Sequence, residues 1–167
     1  YRPVAPGAAS HHPVIIVGAG PVGMSMALDM ARHGHQVLVL DDDDKLSIGS
    51  RAICFAKRTL DIWDRLGVGE RMVQKGVSWN VGRVFFREEE VWAFDLLPES
   101  GHRRPAFINL QQYYCEGYLY EQCVAEPNIE IRWKNKVTAV HHDAERATVT
   151  VETPDGSYTL TTDWLIA

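Results

Sequence analysis

Three glycines carry the chemistry most readily. Gly18, Gly20 and Gly23 stand in the run Gly18-Ala19-Gly20-Pro21-Val22-Gly23, a full G-x-G-x-x-G, and Asp41 follows 23 residues after Gly18. The first glycine lets a chain turn tightly out of a strand. The second removes a side chain that would block a pyrophosphate, and the third lets a helix pack close to the sheet. A helix opening at Pro21 and Val22 then offers unpaired N–H groups and a partial positive charge to phosphate. A carboxylate at the position of Asp41 can accept bonds from ribose hydroxyls. Asp42 is a second candidate, since Asp41 opens an acidic run to Asp44, and any member of that run could instead be solvated.

The elements around these residues are those that such a site requires. Val14 to Val17 is apolar and β-branched, too short for a helix and suited to a buried strand. After the glycines, Val22, Met26, Ala27 and Met30 fall along one face of a helix that should stop at His33-Gly34, where glycine is a natural C-cap. Val37 to Leu40 is a second apolar strand ending in Asp41. Together they make a complete βαβ unit and predict a dinucleotide site. A tight strand–helix turn that binds nothing would leave the terminal acid without a role.

The chain has 167 residues, 46% hydrophobic and 23% charged, as expected of one ordinary globular domain or part of a larger one. A formal net charge of −5 gives no basic footprint for nucleic acid, and no run approaches the length of a membrane span. Residues 1–12 read as a flexible tail without a signal-peptide core. Cys54, Cys115 and Cys123 form no C-x-x-C, which suggests reduced thiols in a cytoplasmic protein. Cys54 and Cys115 read as inert buried thiols. His11-His12 and His141-His142 lack partners at metal-ligand spacing and read as solvated surface.

Beyond the acidic run, Ala56, Leu60, Trp63 and Leu66 predict a helix closed by Gly67, followed by a shorter one over Gly69 to Lys75. Strand character from Val77 to Phe94 around the charged stretch Arg87-Glu88-Glu89-Glu90 predicts a hairpin, and Leu97 to Pro105 a loop. A helix over Gln111 to Glu126 should end before Pro127. A short strand over Asn128 to Trp133 precedes three alternating strands, Lys136 to His142, Ala147 to Glu152 and Tyr158 to Thr162, which read as an antiparallel meander. Asp163 to Ala167 reads as a separate closing apolar strand. Since a buried parallel strand needs neighbours on both sides, the chain reads as the front portion of something longer. Trp63, Trp79, Trp92 and Trp133 are expected in packing roles. One or two of Tyr113, Tyr114, Tyr118 and Tyr120 are candidates to line a pocket.

Three blocks, IIVGAGPVGMSMALDMARHGHQVLVLD, SIGSRAICFAKRTLDIWDRLG and INLQQYYCEGYLYEQ, resemble the FAD-dependent aromatic hydroxylases. These are single-component flavoprotein monooxygenases with the p-hydroxybenzoate hydroxylase fold, here most similar to the 3-(3-hydroxyphenyl)propionate and pentachlorophenol hydroxylase branch. The resemblance covers nearly all of Pro13 to Ala167. It implies an α/β fold: a Rossmann-like FAD-binding βαβ sheet, an antiparallel β-meander, and a β-hairpin with its following loop (77–108) turned toward the substrate side. It implies that Arg51 reaches the FAD pyrophosphate, as a guanidinium can through planar charge-assisted bonds, and that Gln112, or its neighbour Gln111, contacts the FAD. Arg58 lies in the same block but reads equally as a helix-surface charge. The sequence ends before the family's D-G segment and lacks its later G-D segment, so what remains should hold chiefly the ADP half of FAD.

The activity implied by the resemblance is hydroxylation of a small phenolic substrate by O₂ through a flavin hydroperoxide, with NAD(P)H as reductant. No catalytic residue is named within the chain. Two other readings stay open: another FAD- or NAD(P)-linked oxidoreductase with the same front end, and an inactive truncated product. The expected partners are the aromatic substrate, O₂ and the missing C-terminal half. Exposed apolar strands at the cut edge predict aggregation or association with a complementary piece, and a homo-oligomer is also left open.

Overall fold

The structure is a computed structural model that describes residues 1–4, 10–46 and 51–167. In chain order the first elements are β1 (His11–Val17), α1 (Pro21–Arg32), β2 (Val37–Asp41), β3 (Cys54–Ala56), α2 (Lys57–Arg65), α3 (Gly69–Lys75), β4 (Val77–Trp79) and β5 (Val81–Phe86). They are followed by β6 (Glu89–Asp95), β7 (Phe107–Asn109), α4 (Gln112–Ala125), β8 (Ile129–Trp133), β9 (Lys136–His142), β10 (Ala147–Thr153) and β11 (Gly156–Ile166). Parts of the expected tail (5–9) and of the loop after the acidic run (47–50) lie outside the described residues. The chain divides into two compact units, 1–48 with 119–167, and 49–118, the division falling within α4.

The first unit is built on a six-stranded sheet of order β8-β2-β1-β11-β10-β9. β8, β2, β1 and β11 run parallel, and β9, β10 and β11 are antiparallel neighbours. Strand alternation sorts the core into two layers. Val14, Ile16, Val37 and Val39 point to one face, where Ala19 and Ala27 join them. Ile15, Leu38 and Leu40 point to the other and pack against Val149, Val151 and Leu160 of the meander. Burying both faces of β1 and β2 explains their unbroken apolar runs.

Three expectations need correcting here. The meander's last strand and the closing apolar strand are one strand: β11 pairs antiparallel with β10 from Gly156 to Thr162 and parallel with β1 from Thr161 to Ile166. A single extended strand can serve both because each of its edges faces a different neighbour. On α1, Val22 is 84% exposed, while the buried stripe is Met24, Ala27, Leu28 and Ala31. Val22 belongs to the first turn of α1, directly after the glycine loop, and its side chain is outside the buried stripe. His11 and His12, assigned to a tail, are the first residues of β1 and align with Thr161 and Thr162.

The second unit holds a three-stranded sheet, β3-β7-β4, and a two-stranded ribbon, β5-β6. Val77 to Trp79 therefore pairs with β7 and not in the hairpin, which begins at Val81. Ala56 closes β3 instead of opening α2. Cys54 is exposed, not buried, because alternation in β3 turns Phe55 toward Trp63, at 5.1 Å between ring centroids, and Cys54 away. Trp79 packs, stacked on Phe107 and donating to Asn109, and Trp92, 59% exposed on the ribbon, packs on Phe94 at 4.8 Å between ring centroids. Arg104, on the expected loop, is buried: its guanidinium grips the Asp64 carboxylate through Nε at 2.7 Å and Nη2, and reaches Glu70 at 2.9 Å. Those bonds hold the Asp64 carboxyl below its ordinary range.

Candidate functional site

The site forms where β1 and β2 end. Gly18 N–H donates to the Leu40 carbonyl at 2.8 Å, adding one rung to the β1–β2 pairing. Gly18 then takes φ +104°, a conformation that a side chain rarely tolerates, and turns the chain across the sheet end. Ala19, itself buried, donates its N–H to Asp41 Oδ2 at 2.6 Å. Gly20 is the N-cap of α1 in extended conformation, and Met24 N–H closes the first helical bond onto its carbonyl at 3.0 Å.

Two glycines behave oppositely. A Cβ on Gly23 would overlap the Gly18 carbonyl oxygen and sit 3.1 Å from its carbon, so the helix packs onto the loop only because that position is bare. A Cβ on Gly20 would meet nothing within 4 Å. The protein itself has no use for a bare Gly20, and the space above it is open. Below that space, α1 begins with no side-chain cap and no acid in its first turn. Its first-turn N–H groups, those of Val22 and Gly23 since Pro21 has none, have no partner within the helix. This is a surface for an anion.

Asp41 closes the other side. Besides Ala19 N–H, its carboxylate accepts Asp43 N–H at 2.8 Å through Oδ1. Asp41 and Asp42 line a cavity of about 180 Å³ with Val17, Gly18, Leu40, Asn135, Lys136 and Val137. The β8–β9 turn forms its wall. Lys134 N–H donates to the Asp43 carbonyl at 2.9 Å and Asn135 N–H to the Asp41 carbonyl at 2.8 Å.

Arg51, Arg58 and Gln112 lie in the second unit. Arg51 is exposed, and among the described residues its guanidinium forms no ion pair. Gln112 sits in the first turn of α4: its Oε1 accepts Ala52 N–H at 3.1 Å, and its Nε2 donates to the buried Glu116 at 2.7 Å. Gln112 thus anchors the backbone next to Arg51. Gln111, the alternative, is exposed, as is Arg58 on α2. Tyr113 and Tyr114 touch at 4.5 Å, Tyr118 lies under Arg71, and Tyr120 packs on Trp133.

The FAD binding domain family matches residues 11–167. The chain belongs to that family. Para-nitrophenol 4-monooxygenase of Pseudomonas sp. strain WBC-3 is 26% identical over 159 residues, which cover 92% of this chain and 39% of that protein. The 3-(3-hydroxy-phenyl)propionate/3-hydroxycinnamic acid hydroxylase of Shigella sonnei strain Ss046 is 28% identical over 92% of this chain and 28% of its own length. The crystal structure of p-nitrophenol 4-monooxygenase from Pseudomonas putida DLL-E4 superimposes with a TM-score of 0.86 and 26% identity, covering 94% of this chain and 40% of that one. This FAD binding domain thus spans well under half the length of the relatives it matches. Among its described residues no helix is long and apolar enough to cross a membrane. The expected resemblance to aromatic hydroxylases and the expected α/β fold both hold.

Sequence reasoning missed Asn135, Lys136 and Val137 in this FAD binding domain. They come from the β8–β9 turn and the start of β9, with no phosphate or nucleotide motif, and only the pairing of β8 with β2 brings them beside Asp41. The one signal available was an Asn between two strands, a residue type favoured in turns for its own backbone contacts.

Proposed function

We propose that this chain is the FAD-binding portion of an NAD(P)H-dependent monooxygenase that hydroxylates a small phenolic substrate with O₂. The observation that carries the reading is the contrast at the glycine loop: Gly23 is bare because the fold needs it, while Gly20 is bare below open space at an uncapped helix N-terminus. The chemistry on the reading's other side comes from the names of the relatives.

In this reading Gly18 turns the loop, Gly20 admits the pyrophosphate, Pro21 sets the helix start, and the N–H groups of Val22 and Gly23 meet its oxygens. Asp41 and Asp42 take the adenosine ribose. The bonds from Ala19 and Asp43 use about two of the four lone-pair directions of a carboxylate, which leaves Asp41 acceptors for hydroxyls. Arg51 supplies charge to the pyrophosphate, and Gln112 holds the backbone of Ala52 next to it while keeping amide capacity for the cofactor. Arg58 is a surface charge. Bound FAD would supply the redox centre that accepts hydride equivalents and activates O₂, while the protein orients it and excludes water. The ribbon β5-β6, with Phe85, Phe86 and Trp92 exposed, is assigned to the substrate side, and the substrate-binding portion to the rest of a longer protein. The three free thiols suit a reducing compartment, and the cytoplasm is the assigned location.

The test is an FAD titration of the 167-residue chain followed by flavin fluorescence, for wild type and Gly20→Val. Valine is compatible with the extended backbone at position 20. Saturable binding by wild type, weakened at least about 100-fold in a Gly20→Val variant of unchanged circular dichroism, is expected. A folded wild-type chain that binds no FAD overturns the reading.

A further inference from the structure

Asn135 is 1% exposed, one of the few buried polar side chains among the described residues, and it lies in the turn joining β8 and β9. Its side chain is tied at both ends. Nδ2 donates to the Trp133 carbonyl at 2.8 Å, and Oδ1 accepts the Tyr158 hydroxyl at 2.6 Å. That hydroxyl in turn receives Arg132 Nη1 at 3.4 Å. Tyr158 stands on β11, in the meander half of that strand, opposite Val151. Its ring packs with the core formed by Ile15, Leu38, Leu40 and the meander.

The backbone of the same turn holds the acidic run. Asn135 N–H and Lys134 N–H grip the carbonyls of Asp41 and Asp43, the residues on either side of Asp42. Lys134 adopts φ +58°, uncommon for a lysine, so this turn is held by its surroundings and not by local preference. Asn135 also lines the small cavity with Asp41 and Asp42. The chain of contacts therefore runs Tyr158 hydroxyl, Asn135 amide, turn backbone, Asp41–Asp43 backbone, carboxylates at the cavity.

Resting on the cofactor reading above, we propose that Asn135, locked by Tyr158, is a positioning residue for the adenosine half of the dinucleotide: it fixes the backbone that aims the Asp41 and Asp42 carboxylates. A satisfied buried amide is suited to this work. It is rigid while both partners are present, and loss of either leaves a polar atom unpaired in the interior. Preorganised carboxylates lose less freedom on binding than carboxylates on a mobile loop, so the effect appears as affinity.

The probes are ADP and FAD, titrated into the full chain at 10 °C, well below unfolding, for wild type, Tyr158→Phe, Asn135→Ala and the double variant. Tyr158→Phe removes one oxygen and preserves the ring, so it remains informative where Asn135→Ala fails to fold. The expected result is affinity for both probes weaker by about fivefold in Tyr158→Phe and about tenfold in Asn135→Ala, with the double variant no weaker than Asn135→Ala, because residues acting through one bond are not additive. Faster amide exchange at Lys134 and Asn135 in unliganded Tyr158→Phe is expected alongside. A purely structural role would lower the melting temperature and leave the affinity of the folded protein unchanged. That outcome, or additive losses, overturns the positioning role while the cofactor reading stands. Wild type that binds neither probe overturns the cofactor reading and this inference with it.

Discussion

Replacing Gly23 by alanine tests whether α1 rests on the loop as described. Two terms oppose each other. Alanine is the better helix former by about 1 kcal/mol in a helix interior, and by less in a first turn, where Gly23 lies. Against this, the new methyl would overlap the Gly18 carbonyl oxygen and press within 3.4 Å of Ile16 Cγ2, so loop or helix must shift. Gly18 cannot yield freely, because its N–H is bonded to Leu40 and its φ of +104° is already set by the turn. Overpacking of this kind costs about 1–3 kcal/mol, and more where backbone must move. The helix-propensity gain offsets only part of it, leaving a net loss of about 1–2 kcal/mol. At about 2–4 °C per kcal/mol for a domain of this size, the melting temperature should fall by roughly 2–8 °C. Gly20→Ala is the control: its Cβ meets nothing, its backbone is extended, and the gain from a less flexible unfolded chain roughly balances the poorer N-cap. Thermal unfolding followed by circular dichroism measures both. If Gly23→Ala melts with or above wild type while Gly20→Ala melts lower, the assigned contrast between the two glycines is wrong.

Three further outcomes follow from the geometry. Asp41→Ala removes the acceptor of two backbone N–H groups as well as the proposed ribose ligand, so FAD affinity should drop about tenfold or more and the Ala19 and Asp43 amides should exchange faster. Asp42→Ala should weaken FAD without the exchange effect, and equal exchange in both variants would contradict the brace. Arg104→Met should destabilise the second unit by about 2 kcal/mol, below the range for fully buried pairs because Asp64 keeps some solvent contact. The Asp64 carboxyl is held below its ordinary value of 3.8 by the Arg104 bonds, so its stabilising contribution is complete above that pH and fades as pH falls through the lowered folded value. A melting-temperature profile from pH 7 to pH 3 should accordingly decline less steeply in Arg104→Met; parallel profiles would sink this account. Burial pushes the Cys115 and Cys123 thiols up to about 12, whereas Cys54 is exposed. Mass spectrometry after native alkylation near pH 8 should show one label, on Cys54, with the other two reacting only on unfolding.

The parts of the fold legible in the sequence are those whose signal is local. β1, α1 and β2 were readable because buried parallel strands are continuously apolar and because Gly34 ends the helix with φ +86°. Gly18, Gly23 and Asp41 were readable because a turn, a close approach and a strand end each demand a residue type. What was lost depends on pairing. Nothing in Tyr158 to Ile166 announces that one strand leaves the meander and enters the parallel sheet, since alternation describes a strand and not its neighbours. Cys54 was misread as buried because its type favours the interior, and only the partner of Phe55 shows which way β3 turns. Arg104 looked like a loop charge because its partners, Asp64 and Glu70, are some forty and thirty-four residues distant in the chain.

The acid at the end of β2 shows where motif reasoning stops. The spacing from Gly18 to Asp41 is usually taken to mean one thing, a carboxylate for ribose. Here the same carboxylate also holds Ala19, the residue between the first two glycines, and Asp43, the residue that begins the turn away from the sheet. An asparagine would present a similar shape but only one acceptor oxygen, so it could not brace both N–H groups and still receive a hydroxyl. On the proposed cofactor reading the acid is therefore specified twice, once by a ribose and once by the loop, and the two demands are compatible only because a carboxylate has acceptors to spare. On the other side of Asp41 its backbone is held by Asn135, whose side chain reports to Tyr158 in the second layer. A site described by its glycines alone thus rests on four chain segments, β1, β2, the β8–β9 turn and β11, and a change in any one should reach the others through Asp41.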